Sequence, residues 1–269
     1  MASFPPEIAD VVDELPFWSA PFGLKMLDLV KYRISITALD LGCGTGFPLI
    51  ELAFRLGPTS RIFGLDPWSE ALEKVKRKLQ FHHMNNVELV QAQAESIPLP
   101  DQSVDLIISN NGINNVSDLT KCLSECRRIL KSEGQFLFSV NLEGTMKEFY
   151  NVFSDVLKDM GLHECVVAMK RHIRDKRRPL DELLRSVQTA GFTVISSVND
   201  HFCYHFSNGT AMLSHSLIRN FFLPEWKALL PSVNASGIIA QVEKKMNVLA
   251  EKGNGFHLTI PFAVVDCRG

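Results

Sequence analysis

The residues of this chain with the clearest chemical potential are one carboxylate and three glycines. In ALDLGCGTGF, Ala38–Phe47, Asp40 stands two positions before the first of Gly42, Gly44 and Gly46. Glycines at this spacing let a backbone turn tightly and approach a ligand closely. Amides at the start of a following helix attract an anion. A dinucleotide loop places its third glycine three residues after the second; here that position is Phe47, and the third glycine comes one residue earlier. A carboxylate beside such a loop repels a diphosphate and favours a ligand that carries positive charge. Twenty residues after Gly46 comes Asp66, at the end of a second apolar run. A carboxylate there can accept from both hydroxyls of a ribose. Its plainer role is to cap the helix predicted at Ser69–Gln80.

Hydrophobic periodicity supplies the elements that must position these groups. The runs Ile36–Gly42, Arg61–Asp66, Val87–Ala92 and Val104–Asn110 read as short, mostly buried strands. Between them, Pro48–Gly57 repeats apolar residues at Leu49, Leu52, Ala53 and Leu56, and Ser69–Gln80 does so at Ala71, Leu72, Val75 and Leu79. Leu119–Lys131 is a third helix, with Leu119, Cys122, Leu123, Cys126, Ile129 and Leu130 facing inward; Ser132–Val140 then turns at Gly134 into a fifth strand. Strands alternating with helices imply a parallel sheet. After Val140 the rhythm breaks. A helix ends near Gly161, Lys170–Arg178 is a basic stretch in a loop, and Pro179–Val198 gives another helix and a sixth strand. His205–Lys252 is a long helical segment, and Phe256–Asp266 is a last strand. The loop, its leading strand and following helix suit S-adenosylmethionine, whose ammonium and sulfonium are cations and whose carboxylate can use helix-start amides.

Four stretches in order, LDLGCGTG, IFGLDPWSEAL, AQAESIPLPDQSVDLIIS and CLSECRRILKSEGQFLFS, resemble the core of a class I S-adenosylmethionine-dependent methyltransferase. The likeness is to the small-molecule group that includes ubiquinone and menaquinone biosynthesis enzymes; AGFTVISS and IPFAVVD extend it more loosely. It implies an α/β, Rossmann-like, seven-stranded, mostly parallel sheet in the order 3-2-1-4-5-7-6, with helices on both faces and the last strand antiparallel. It also implies that Asp40 and the backbone of Gly42, Cys43, Gly44 and Gly46 hold the methionine part. Asp66 would take the ribose, Pro67 and Trp68 would lie beside the adenine, and Ala94 would offer its amide to the ring. Family members carry an aspartate before that alanine; this chain has Gln93, an uncharged acceptor, with Glu95 as the alternative.

In that strand order the first and fourth strands form a switch point where ligands gather. The loop after the fourth strand, SNNGINNVSD, brings Asn110, Asn111, Asn114 and Asn115 there. Asn110 is read as a cofactor contact. Cofactor contact and turn chemistry are balanced for the others, and Ser117 is a candidate helix cap. His201 and His205 follow the sixth strand and could face the site, but no catalytic base is assigned and no metal ligand set is visible. Leu213, Leu217, Phe221, Phe222 and Trp226 read as core or lid packing, and Phe17–Val30 as a helix over the cofactor. The expected organisation is one domain over 1–269, with helical cap segments at 1–34, 143–178 and 205–252.

Composition bounds the rest. The 269 residues carry a net charge of −2 and are 46% hydrophobic and 22% charged, ordinary for a globular chain and without global attraction for nucleic acid or anionic membrane. The amino terminus lacks the pattern of a secretory signal, and no apolar run approaches a membrane span. Six scattered cysteines without a C-x-x-C pair suit a reducing, cytoplasmic setting. Methyl transfer to a small molecule is the expected activity. The alternatives are a non-catalytic protein that binds the cofactor or its product, methylation of RNA or protein, and, more remotely, dinucleotide oxidoreduction.

Overall fold

The structure is a computed structural model that describes residues 18–269. Residues 1–17, and with them half of the expected 1–34 segment, lie outside that range. Seven strands form one mixed sheet: β1 Thr37–Leu41, β2 Arg61–Leu65, β3 Val87–Val90, β4 Val104–Asn110, β5 Leu130–Asn141, β6 Thr193–Phe206 and β7 Phe256–Arg268. Their order is β3-β2-β1-β4-β5-β7-β6, as the family resemblance implied. β1 pairs in parallel with both β2 and β4, Asp40 lying opposite Gly64 on one side and Ile108 on the other. β7 runs against β5: Gly269 N donates to Gly134 O at one end, while Leu142 N donates to Pro261 O at the other.

The helices sit where periodicity placed them. Leu49–Leu56 buries Leu49, Leu52, Ala53 and Leu56; Ser69–Phe81 buries Ala71, Leu72, Val75 and Leu79; Leu119–Ile129 buries all five of its apolar positions. Against them the sheet presents a dry interior that includes Leu39, Leu41, Ile62, Ile107, Phe136 and Phe138. Fully burying each such side chain contributes about 1.5–3 kcal/mol before the entropy of ordering is subtracted.

Several boundaries differ from the sequence reading. β5 begins at Leu130, not beyond Gly134: Leu130 pairs with Val104, then the register jumps so that Leu106 meets Gln135. Gly134 permits this bulge, because a Cβ there would lie 2.7 Å from the Leu130 side chain. β6 continues to Phe206, so His201 and His205 lie on the strand itself, and both are exposed. The basic stretch is the end of a helix, His163–Lys176, and not a loop. Asp118, not Ser117, caps the Leu119–Ile129 helix, accepting from Lys121 N at 3.0 Å.

By density of contacts the chain divides into two compact units. One comprises the described residues up to Val140 with Leu180–Asn199 and Phe262–Gly269; the other is Asn141–Pro179 with Asp200–Pro261. The second has its own aromatic core. Phe149 stacks on the fully buried Trp226 with ring centroids 3.8 Å apart and meets Phe153 at 5.5 Å, and Met212, Val242 and Met246 of the same unit are also buried. Ile218–Phe222 is a turn of π-helix followed by Leu223–Ala228, and Ala235–Lys252 is the unit's longest helix.

Candidate functional site

The site is built at the carboxyl ends of β1, β2 and β4. Asp40 is the penultimate residue of β1 and has no solvent exposure. Neither carboxylate oxygen has a hydrogen-bond partner, although the Leu49 amide at the start of the next helix is near enough to favour the charge slightly. Burial pushes the Asp40 carboxyl up to about 8, and the neighbouring Asp66 adds to the rise. No cation among the described residues offsets it.

The loop after β1 is held by its own hydrogen bonds. Gly42 N and Cys43 N both donate to Leu65 O, at 2.8 and 3.1 Å, and Gly46 N donates to Cys43 O at 2.9 Å. Gly42, Gly44 and Gly46 have positive φ of 80°, 50° and 108°, a region glycine enters without steric cost. A Cβ on Gly44 would meet no atom within 4 Å, so the backbone there borders open space. Gly64 was not singled out from sequence, yet it shapes the loop from below. A Cβ at Gly64 would lie 2.5 Å from Leu49 Cδ2 and 3.2 Å from Cys43 Sγ. The Cys43 thiol therefore packs against β2, and burial holds it well above its ordinary value, so Cys43 serves through its backbone. Lys78 reaches back from its helix to donate to Thr45 O at 2.7 Å. Long side chains on a following helix carry no motif, so spacing gave no sign of it.

Asp66 joins the two loops. Its Oδ2 accepts from Gly44 N and its Oδ1 from Trp68 N, each at 2.9 Å. Burial raises its carboxyl, and those two amides pull it back. A carboxylate has about four acceptor positions, so two remain for hydroxyl donors. Asp66 lies close enough to Asp40 for its charge to raise the Asp40 carboxyl. Trp68 is the N-cap residue of its helix, in an extended conformation beside Pro67.

The loop after β3 separates the residues read there. Gln93 is exposed, while Glu95 is buried, with Oε1 accepting from Ser117 N at 2.7 Å and Asp118 N at 3.0 Å. Glu95 Oε2 is also buried and has no partner. Glu95 is thus a fixed internal acceptor and not a solvated charge. Ala94 between them is half-buried.

Asn110 ends β4 with its side chain already engaged: Nδ2 donates to Ser19 O at 3.0 Å and Oδ1 accepts from Ser139 Oγ at 2.8 Å. Asn111 takes a left-handed φ of 59°, and Asn114 and Asn115 turn their amides back onto it. The asparagines mostly build the turn. The position that sets the switch point is Gly112 between them, where a Cβ would lie 2.4 Å from Leu41 O and 2.6 Å from Ser109 Oγ. Above the loop runs the helix Ala20–Asp28, whose Gly23 meets the Phe47 ring; a Cβ on Gly23 would be 2.4 Å from Phe47 Cε1. A group of His, Cys, Asp and Glu able to hold a metal is absent among the described residues.

Comparison with known proteins agrees with this geometry. Residues 39–138 match a family model described as a methyltransferase domain. The demethylmenaquinone methyltransferase of Lactobacillus johnsonii is 34% identical over 112 residues, 41% of this chain and 46% of that protein. The chain spans between 38% and 50% of the length of the curated relatives it matches. Among solved structures, a SAM-dependent methyltransferase from Aquifex aeolicus superposes with a TM-score of 0.56 at 21% identity, covering 73% of this chain and 93% of that one. Geranyl diphosphate C-methyltransferase from Streptomyces coelicolor, in complex with Mg2+, geranyl diphosphate and S-adenosyl-L-homocysteine, gives 0.57 at 17%, covering 96% and 82%. Strand order, a glycine loop flanked by two carboxylates, and the matched segment point the same way: residues 39–138 match a methyltransferase domain, set in a sheet with the strand order that the resemblance implied.

Proposed function

We propose that this chain is a cytosolic enzyme that moves a methyl group from S-adenosylmethionine to a small organic molecule. The observation that carries this reading is Asp40. A carboxylate with no exposure, no hydrogen-bond partner and no neighbouring cation is costly to charge. Such a group fits a site whose missing positive charge arrives with the ligand, and argues against a diphosphate cofactor. When bound, the cofactor supplies an electrophilic methyl group on a sulfonium. Asp40 would act on its cationic end through the field it sets across the loop. Asp66 would use its two remaining acceptor positions on the ribose while it keeps Gly44 and Trp68 in place. Glu95 Oε2, buried and unpartnered, is better placed than the exposed Gln93 to accept from an adenine amino group. Pro67 and Trp68 would flank the ring.

Four loop amides, those of Gly42, Cys43, Gly44 and Gly46, already donate within the protein. The grip on the cofactor carboxylate must therefore come from rearranged loop bonds or from other donors. The remaining contribution of the protein is approach geometry and exclusion of water. The names of the relatives and fold neighbours support a small organic acceptor, and the free cysteines support a reducing compartment. No described helix is long and apolar enough to cross a membrane.

Isothermal titration with S-adenosylmethionine tests the cofactor assignment, and a tritiated-methyl assay over a metabolite panel tests turnover. The wild type should bind, and Asp40→Asn should bind at least about tenfold more weakly. Equal affinity for the two proteins would remove the argument from Asp40.

A further inference from the structure

The second unit holds an inward-turned charge whose counter-charge is shared with two other groups. Arg177 follows the helix His163–Lys176, and its Nε is out of contact with solvent and has no hydrogen-bond partner. One Nη1 donor goes to Lys176 O at 3.0 Å, at the helix end, where the backbone supplies only a fraction of a negative charge. Among the described residues the one carboxylate within electrostatic reach is Glu225, and it is already shared: Lys176 Nζ is 2.7 Å from its Oε1 and His172 Nε2 is 3.9 Å from its Oε2. A guanidinium stays protonated at any ordinary pH, so its burial without a counter-charge costs several kcal/mol. Beside it stands the buried hydroxyl of Tyr150. That oxygen accepts from Trp226 Nε1 at 3.1 Å, which leaves the phenolic hydrogen without an acceptor among the described residues. A cation in a planar fork and a free hydroxyl donor, set on an aromatic floor of Phe149 and Trp226, match the oxygens of an anion.

We propose that Arg177 and Tyr150 form an oxyanion-binding site in the second unit, for a small molecule that carries a carboxylate or a phosphate. Tyr150, Arg177, Glu225 and Trp226 all belong to that unit, so the site stands whether or not the cofactor assignment does.

Thermal-shift titration of the full chain with inorganic phosphate and, separately, benzoate tests this, with sodium chloride matching ionic strength. The wild type should be stabilised by one or both; phosphate alone identifies a phosphate ligand, and benzoate alone a carboxylate. Arg177→Gln should weaken that binding at least about tenfold, Arg177→Lys should recover part of it, and Tyr150→Phe should weaken it less. S-adenosylmethionine affinity should be the same in all three variants, which separates this site from the methyltransferase assignment and reports correct folding. A wild type that responds to neither anion beyond the chloride control overturns the proposal. So does an anion response that survives Arg177→Gln. If Arg177→Gln does not fold, the wild-type response and its weakening in Tyr150→Phe decide the matter, and an undiminished response in Tyr150→Phe then overturns the proposal.

Discussion

Asp40 titrates near 8 in the folded chain and near 4 when unfolded. Between those values the folded state keeps a proton that the unfolded chain has lost, so stability falls as pH rises across that window. Asp40→Asn removes the ionisation. The variant should therefore be more stable than wild type at pH 8, by about 1–3 kcal/mol, and the two should converge near pH 4. Melting curves over that range check this; a parallel offset at all pH values would contradict it. Cofactor affinity should show the opposite trend. Binding a cation draws the proton off Asp40, so affinity climbs toward pH 8, until the ligand's own ammonium begins to lose its proton near the same pH. Titration calorimetry should show that rising limb in the wild type and not in Asp40→Asn. At Asp66, replacement by Ala strips the partners of Gly44 N and Trp68 N as well as two ribose acceptors. Affinity should fall about tenfold to a hundredfold with a loss of about 1–3 kcal/mol in stability. Unchanged affinity in Asp66→Ala would end the ribose assignment.

At the scale of elements, what was legible in the chain was whatever repeats. The apolar faces of the helices Leu49–Leu56, Ser69–Phe81 and Leu119–Ile129 follow from spacing alone, because a 3.6-residue period and a buried stripe are one fact. The strand alternation gave the parallel half of the sheet, and the family resemblance gave the order of the rest. What did not repeat was missed. The bulge at Leu130 depends on a single glycine folding over a leucine, and β6 runs past Val198 across a polar break at residues 199–201 before an alternation resumes at Phe202, Tyr204 and Phe206. At the site, motif residues were legible and their close approaches were not. Gly112 is the sharpest case, since its neighbours are backbone and a hydroxyl from other strands. Gly112→Ala would drive a Cβ to 2.4 Å from Leu41 O. That atom belongs to β1 and cannot swing aside, so β1 and the β4 loop must part. A loss of about 2–4 kcal/mol in stability with weakened cofactor binding is expected. Chemical denaturation and calorimetry on the variant check both, and a stable, fully binding Gly112→Ala would show that the switch point tolerates separation.

At the scale of the whole molecule, electrostatics decides which acceptors are reachable. A net charge of −2 supplies no long-range pull on a polyanion. The basic stretch Lys170–Arg178 has the composition to contact phosphates, and its placement weakens that case. Lys176 pairs with Glu225 at 2.7 Å, Arg171 lies 3.8 Å from Asp175, and Arg177 turns inward. Carboxylates beside Lys176 and Arg171 and the inward turn of Arg177 reduce the charge this stretch offers to a nucleic acid, and counterion release is what gives sequence-independent binding its strength. A labelled single-stranded RNA should therefore bind more weakly than about 100 μM near 0.1 M salt, with no steep gain as salt is lowered. Fluorescence anisotropy over a salt series measures this directly. A slope of several units in log K against log salt would place a phosphate-tracking surface on this chain and move the acceptor from small molecules to RNA. A flat, weak response fits a small acceptor and the small charged ligands proposed for Asp40 and Arg177.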